Sequence, residues 1–95
     1  MSKKDDYFTT MEAQIKKWDS EVEKLTAKCK QMSAEARTKY DEQLGAMRTS
    51  RDATYKKLQE IRSANESAWQ QMQAGMDASY ASMRSALDKA AAQFK

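Results

Sequence analysis

The sequence predicts an all-α protein, and three observations carry that reading. Apolar residues recur at helical spacing along the whole chain. Of 95 residues, none is proline and only two, Gly45 and Gly75, are glycine. There is one valine and there are two isoleucines, against a wealth of Ala, Lys, Glu, Gln, Met and Arg, the strong helix formers. Charged residues make up 33% and apolar ones 40%, a balance typical of long amphipathic helices and coiled coils.

Residues 1–4 read as a frayed N-terminus, with the helix under way from Asp5. Ser2, Asp5 or Asp6 can cap its start, and the acidic pair suits the positive end of the helix dipole. The clearest stretch follows. Phe8, Met11, Ile15, Trp18, Val22, Leu25, Cys29, Met32 and Ala36 are spaced by alternating steps of three and four. Eight steps cover 28 residues, or 3.5 per step, the period of a coiled-coil seam. Away from it, opposite charges sit four residues apart, as in Glu12–Lys16, Lys17–Glu21, Glu35–Lys39, Arg37–Asp41 and Lys56–Glu60. Such pairs describe a solvated helix face.

Beyond Ala36 the stripe runs through Tyr40, Leu44, Met47, Arg51, Tyr55, Leu58, Ile61, Asn65, Trp69, Met72, Met76, Tyr80, Met83, Leu87, Ala91 and Phe94. Sixteen steps now cover 58 residues, about 3.6 per step. The eleven-residue series Leu25, Ala36, Met47, Leu58, Trp69, Tyr80, Ala91 displays the drift. A 3.5 period winds a left-handed supercoil and an eleven-residue repeat a right-handed one. A left-handed N-terminal third that straightens toward the C-terminus is therefore expected.

Two places can interrupt the helix. Gly45 lies near the midpoint but has no turn residues beside it. At Ser63-Ala64-Asn65-Glu66-Ser67, Asn65 can take the left-handed conformation that ends helices, and Ser63 with Glu66 has capping-box spacing. Composition changes there as well: residues 63–95 are rich in Ala, Ser and Gln and carry only six charges. Because the eleven-residue phase crosses both places, one continuous helix is the first expectation. A break at 63–67 comes second and a hairpin at Gly45 third. The chain then reads as a single domain, 1–95, with a charged heptad-rich helix over 5–62 and a helical continuation over 63–95.

A helix from residue 5 to 93 would be roughly 130 Å long at ~1.5 Å per residue. Such a rod has no interior, so its stripe needs a partner. The expected solution is a small homo-oligomeric helical bundle of two to four chains, antiparallel because parallel packing sets Arg51 beside Arg51. Its interface is the stripe from Phe8 to Phe94. Arg51 and Asn65, polar members of that stripe, either fix register or mark places open to water.

Several function classes find little support. The net charge is +3, spread as +1, +2 and 0 over residues 1–31, 32–62 and 63–95, so no basic block points to nucleic acid. Cys29 is the only cysteine, and no intrachain disulfide can form. No apolar run is long enough to span a bilayer, and the N-terminus lacks the apolar core of a signal peptide. A cytoplasmic address is expected. Cys29 and Met32, with Met72, Met76 and Met83, are soft ligands of the kind cuprous copper takes. All five sit on the stripe, where packing is the plainer role. Trp18, Trp69, Tyr40, Tyr55 and Tyr80 read as anchors of a helix–helix interface. No catalytic residues, cofactor, metal site or small-molecule substrate are expected.

The segments Tyr7–Trp18 (YFTTMEAQIKKW), Tyr40–Leu44 (YDEQL), Arg51-Asp52-Ala53, Ser67-Ala68-Trp69 and Ala90–Phe94 (AAAQF) resemble small bacterial proteins labelled coiled coil domain-containing proteins. That resemblance implies a bacterial helical protein and assigns no site residues. A second resemblance, through the eleven-residue period alone, is to apolipoprotein-like amphipathic helices. Three functions follow as expectations. The first is a structural or interaction coiled coil that self-associates through its stripe. The others are a helix that binds a lipid or granule surface, and an adaptor that pairs with another coiled-coil protein.

Overall fold

An apolar stripe without a partner is unstable in water, and this chain satisfies it by folding back on itself twice. The computed structural model describes residues 3–93. It contains α1 (Lys3–Cys29), α2 (Ala34–Ser63) and α3 (Glu66–Ala92). The expected single helix is thereby corrected: the molecule is a bundle of three helices of nearly equal length. It measures 50 × 19 × 18 Å, where one helix would have reached well beyond 100 Å.

Both reversals rest on local chemistry. At the first, Lys30, Gln31 and Met32 close the end of α1 with helical-type bonds to Thr26, Lys28 and Cys29. Ser33 then turns extended, with φ −60° and ψ 157°, and its Oγ accepts the Ala36 N–H at 3.3 Å. That is an N-cap, reinforced by Glu35 in the first turn. At the second, Ala64 and Asn65 are both extended, and Asn65 Oδ1 accepts the Ala68 N–H at 2.8 Å. Asn65 thus starts α3 and does not end α2. No described residue has positive φ, so the left-handed stop expected at Asn65 is absent. Ser63, expected to start a helix, is the last residue of α2. Gly45 is helical, and a Cβ there would meet nothing within 4 Å. Asp5 and Asp6 lie in the first turn of α1, where they meet the dipole and do not act as caps. Ser2 lies outside the described residues.

The helices run up, down and up. α1 opposes α2, as the Asp19–Arg51 and Thr26–Arg48 bonds show. α1 and α3 run in the same direction, with Tyr7 beside Asp77 and Glu21 beside Arg84. The core has two parts. One gathers Trp18, Val22, Leu25, Cys29, Tyr40, Leu44, Met47, Met83, Leu87 and Ala90. The other gathers Met11, Ile15, Leu58, Ile61, Trp69 and Met76, with Tyr7, Phe8, Tyr55, Met72 and Tyr80 packed against it.

The buried positions also refine the period. In α2 the stripe continues through Thr54, 2% exposed, with Tyr55 only half-buried. In α3 it runs Trp69, Met76, Met83, Ala90, at intervals of seven. Each helix therefore keeps heptad spacing. The lengthened period comes from the two junctions, where Cys29 to Tyr40 and Leu58 to Trp69 each span eleven residues.

Candidate functional site

The feature with the most functional content is the stripe itself. Of the positions assigned to an interface, Met11, Ile15, Trp18, Val22, Leu25, Cys29, Tyr40, Leu44, Met47, Leu58, Ile61, Trp69, Met76, Met83 and Leu87 are buried inside the bundle. Phe8, Met32, Ala36, Arg51, Tyr55, Met72 and Tyr80 are half-buried, and Asn65 is exposed as a cap. Phe94 lies outside the described residues. The stripe thus finds its first partner within its own chain. Thr54 and Ala90 are core residues that the drifting period missed. Their seven-residue spacing from Met47 and Met83 was the available signal.

Polar side chains set the register between helices. Arg51 reaches across to Asp19, with Nε donating to Oδ1 at 3.0 Å and Nη2 to Oδ2 at 2.9 Å. Its guanidinium also lies 4.8 Å over the Tyr55 ring. The Asp19 bonds push Arg51 above its usual pKa, against the opposing effect of burial. Arg51, a polar break in the stripe, therefore pins α2 against α1. Arg84 performs the same service between α3 and α1. Its Nη1 donates to Glu21 Oε2 at 2.6 Å, and that bond raises its pKa. Neither pair carries a local sequence signal, because the partners are 32 and 63 residues apart. The expected Glu12–Lys16 pair is present at 3.9 Å.

Both tryptophans are enclosed, on different terms. Trp18 is 1% exposed, and its indole N–H donates to the Met83 carbonyl at 3.0 Å. Trp69 is 4% exposed, and its Nε1 has no hydrogen-bond partner. The Tyr7 ring lies 5.8 Å from that of Trp69, and its hydroxyl donates to Asp77 Oδ1 at 2.5 Å. Beside them the Lys4 ammonium donates to the carbonyls of Ala64, at 2.8 Å, and Arg62, at 3.1 Å. It thereby closes the C-terminal end of α2, where a cation suits the dipole.

The soft-ligand residues do not converge. Cys29, Met32 and Met83 belong to one part of the core, Met72 and Met76 to the other. Cys29 Sγ lies 3.9 Å from the Arg37 carbonyl and 4.0 Å from Asp41. Among the described residues no three of His, Cys, Asp or Glu are grouped to hold a metal. No helix among them is long and apolar enough to cross a membrane. A shallow apolar groove of about 290 Å³ runs between α2 and α3, lined by Ala46, Met47, Ser50, Ala86 and Ala90 among others.

The arrangement of the stripe around the two turns is the unusual part. At about 100° per residue, the buried positions of α1, α2 and α3 can be projected onto one imaginary uninterrupted helix. All of them, from Met11 to Ala90, fall within an arc of about 100°. A bundle with turns imposes no such relation, because each helix can be phased independently of the last. The turns are also free of glycine, proline and positive φ. Compared with known proteins, the chain matches no protein-family model, no curated protein and no solved structure.

Proposed function

We propose that this chain is a non-catalytic interaction protein that acts by pairing amphipathic helices, with further copies of itself as its principal partner. One observation supports this reading above the others: the buried faces of all three helices share one phase across both turns. If either turn becomes helical, the two helices it joins present a single unbroken seam, and that seam requires a partner of the same kind. The closed bundle is then the stored form and the extended coiled coil the associated one. The lone Cys29, with no second cysteine to bridge to, suits a cytoplasmic setting, which belongs to the same proposal.

Absolute mass by light scattering behind a sizing column, at two protein concentrations without lipid, tests it. A discrete dimer, trimer or tetramer is expected to gain on the monomer at the higher concentration. A monomer at both concentrations overturns the proposal. Flotation with anionic vesicles would then test a lipid surface as the partner.

A further inference from the structure

We propose that two copies associate by exchanging α1, with the turn at residues 30–33 straightening into helix. This rests on the self-association proposed above and names its hinge, its register and the residues each copy lends the other.

The two turns are not equivalent hinges. The second holds two extended residues, Ala64 and Asn65, a cap of 2.8 Å, and the Lys4 ammonium bonded to its carbonyls. The first is built from Lys30, Gln31 and Met32, all good helix formers, whose N–H groups already make helical-type bonds. Its distinctive element is Ser33, with ψ 157° and a longer cap of 3.3 Å. Rotating the first turn into α conformation forfeits that cap and gains the helical bonds of a continuous chain. The strict heptad from Phe8 to Ala36 passes directly through this turn, and one extra four-residue step, Ala36 to Tyr40, carries the stripe on into α2. Short connections of this sort favour exchange of identical elements.

The geometry of exchange follows from pairs already present. Within one chain α1 lies antiparallel to α2, with Asp19 against Arg51, Phe8 against Arg62 and Thr26 against Arg48. The midpoints of these pairs fall at residues 35, 35 and 37. Carried over between copies, that register sets the two-fold axis beside Ala36. This is a small, half-buried stripe residue where two helices can cross closely. Two fused helices of residues 3–63, each roughly 90 Å long, then lie antiparallel. Each α3 stays on its own α2 and receives the other copy's α1. Ile15, Trp18 and Glu21 of one copy complete the core and the Arg84 ion pair of the other.

Charge exchange tests this. Two variants are made, Glu21→Arg and Arg84→Glu. Alone, each sets like charges together in the closed chain and in its own exchanged dimer. Mixed, they form a heterodimer in which both sites carry opposite charges. Native mass spectrometry of the equilibrated equimolar mixture is expected to show the ratio of heterodimer to either homodimer at least tenfold above its statistical value of about 2:1. Two glycines inserted between Met32 and Ser33 in both variants disfavour the fused helix and are expected to remove that excess. Ser33→Ala in the unmodified background is expected to raise the association constant about tenfold. A statistical mixture, or a heterodimer that survives the glycine insertion, overturns the exchange. If the unmodified chain still associates in light scattering, self-association stands without it. If every sample is monomeric, both proposals fall.

Discussion

The two parts of the core solve the same packing problem with different materials. Around Trp18 the enclosure is mainly aliphatic and sulfur-bearing, with Tyr40 its one other ring, and the indole N–H is satisfied by the Met83 carbonyl. Around Trp69 it is aromatic, with Tyr7, Phe8, Tyr55 and Tyr80 at its edges and an indole N–H that finds no partner. Polar clamps surround this second part: Lys4 on the end of α2, Tyr7 on Asp77, and Arg62 with its guanidinium 5.3 Å from the Phe8 ring centre. The contrast teaches that burial alone does not define a well-made core. The Trp18 part is closed by its own contacts. The Trp69 part carries an unmet hydrogen bond and depends on the N-terminal turn of α1 to hold it shut.

The largest expected effect comes from truncation. Trp18→Ala is expected to lower unfolding stability by about 3–5 kcal/mol, read by urea titration of the far-ultraviolet circular dichroism. A loss below 1 kcal/mol would mean that the Trp18 part is looser than its burial implies. Next come the paired changes Trp18→Phe and Trp69→Phe. The first gives up a hydrogen bond, whereas the second discards an unsatisfied donor. Trp18→Phe is therefore expected to be the more damaging by about 1–2 kcal/mol. The remaining tryptophan in each variant reports on one part of the core, so the pair also shows whether the two unfold together. Equal losses would erase the distinction between them.

Two smaller effects sharpen it. Burial, then Asp77, holds the Tyr7 hydroxyl well above its ordinary pKa of 10.0. The folded chain keeps a proton that the unfolded chain releases. The stability that this group contributes is complete below pH 10 and is lost as the pH rises from there toward the raised folded-state value. Melting temperature measured upward from pH 9 is expected to show this fall, and Tyr7→Phe to flatten it. A fall of the same size in the variant would place its cause elsewhere. Last, a Cβ at Gly45 or Gly75 meets nothing within 4 Å. Gly45→Ala and Gly75→Ala are each expected to add up to about 1 kcal/mol, whichever part of the core lies nearer. A loss at either would reveal a backbone approach that the closed chain lacks.

Helix content and most of the core were legible in the sequence because burial and periodicity are the same fact seen twice. Ile15, Trp18, Leu58 and Met83 could be placed from spacing alone. The first reversal was hidden, and the second, which falls within the 63–67 stretch named as a possible break, was ranked below a continuous helix, both for a physical reason. Ser33 and Asn65 do their work as caps, yet each is also tolerated inside a helix, and the stripe keeps its phase across them. Equal spacing suits a straight rod and a folded bundle alike. What separates them is tertiary: Arg51 finding Asp19, and Lys4 finding the end of α2, across stretches with no local pattern. Thr54 and Ala90 were passed over because Tyr55 and Ala91, their apolar neighbours, fitted the eleven-residue drift.

The position of Cys29 has a kinetic consequence. The only thiol in the chain is 2% exposed and is the last residue of α1, next to the first turn. A reagent in water reaches it when that end of the bundle parts. The rate of its alkylation, compared with that of the unfolded chain, therefore measures how often α1 lets go. The molecule carries its own clock for local opening, one residue away from the turn.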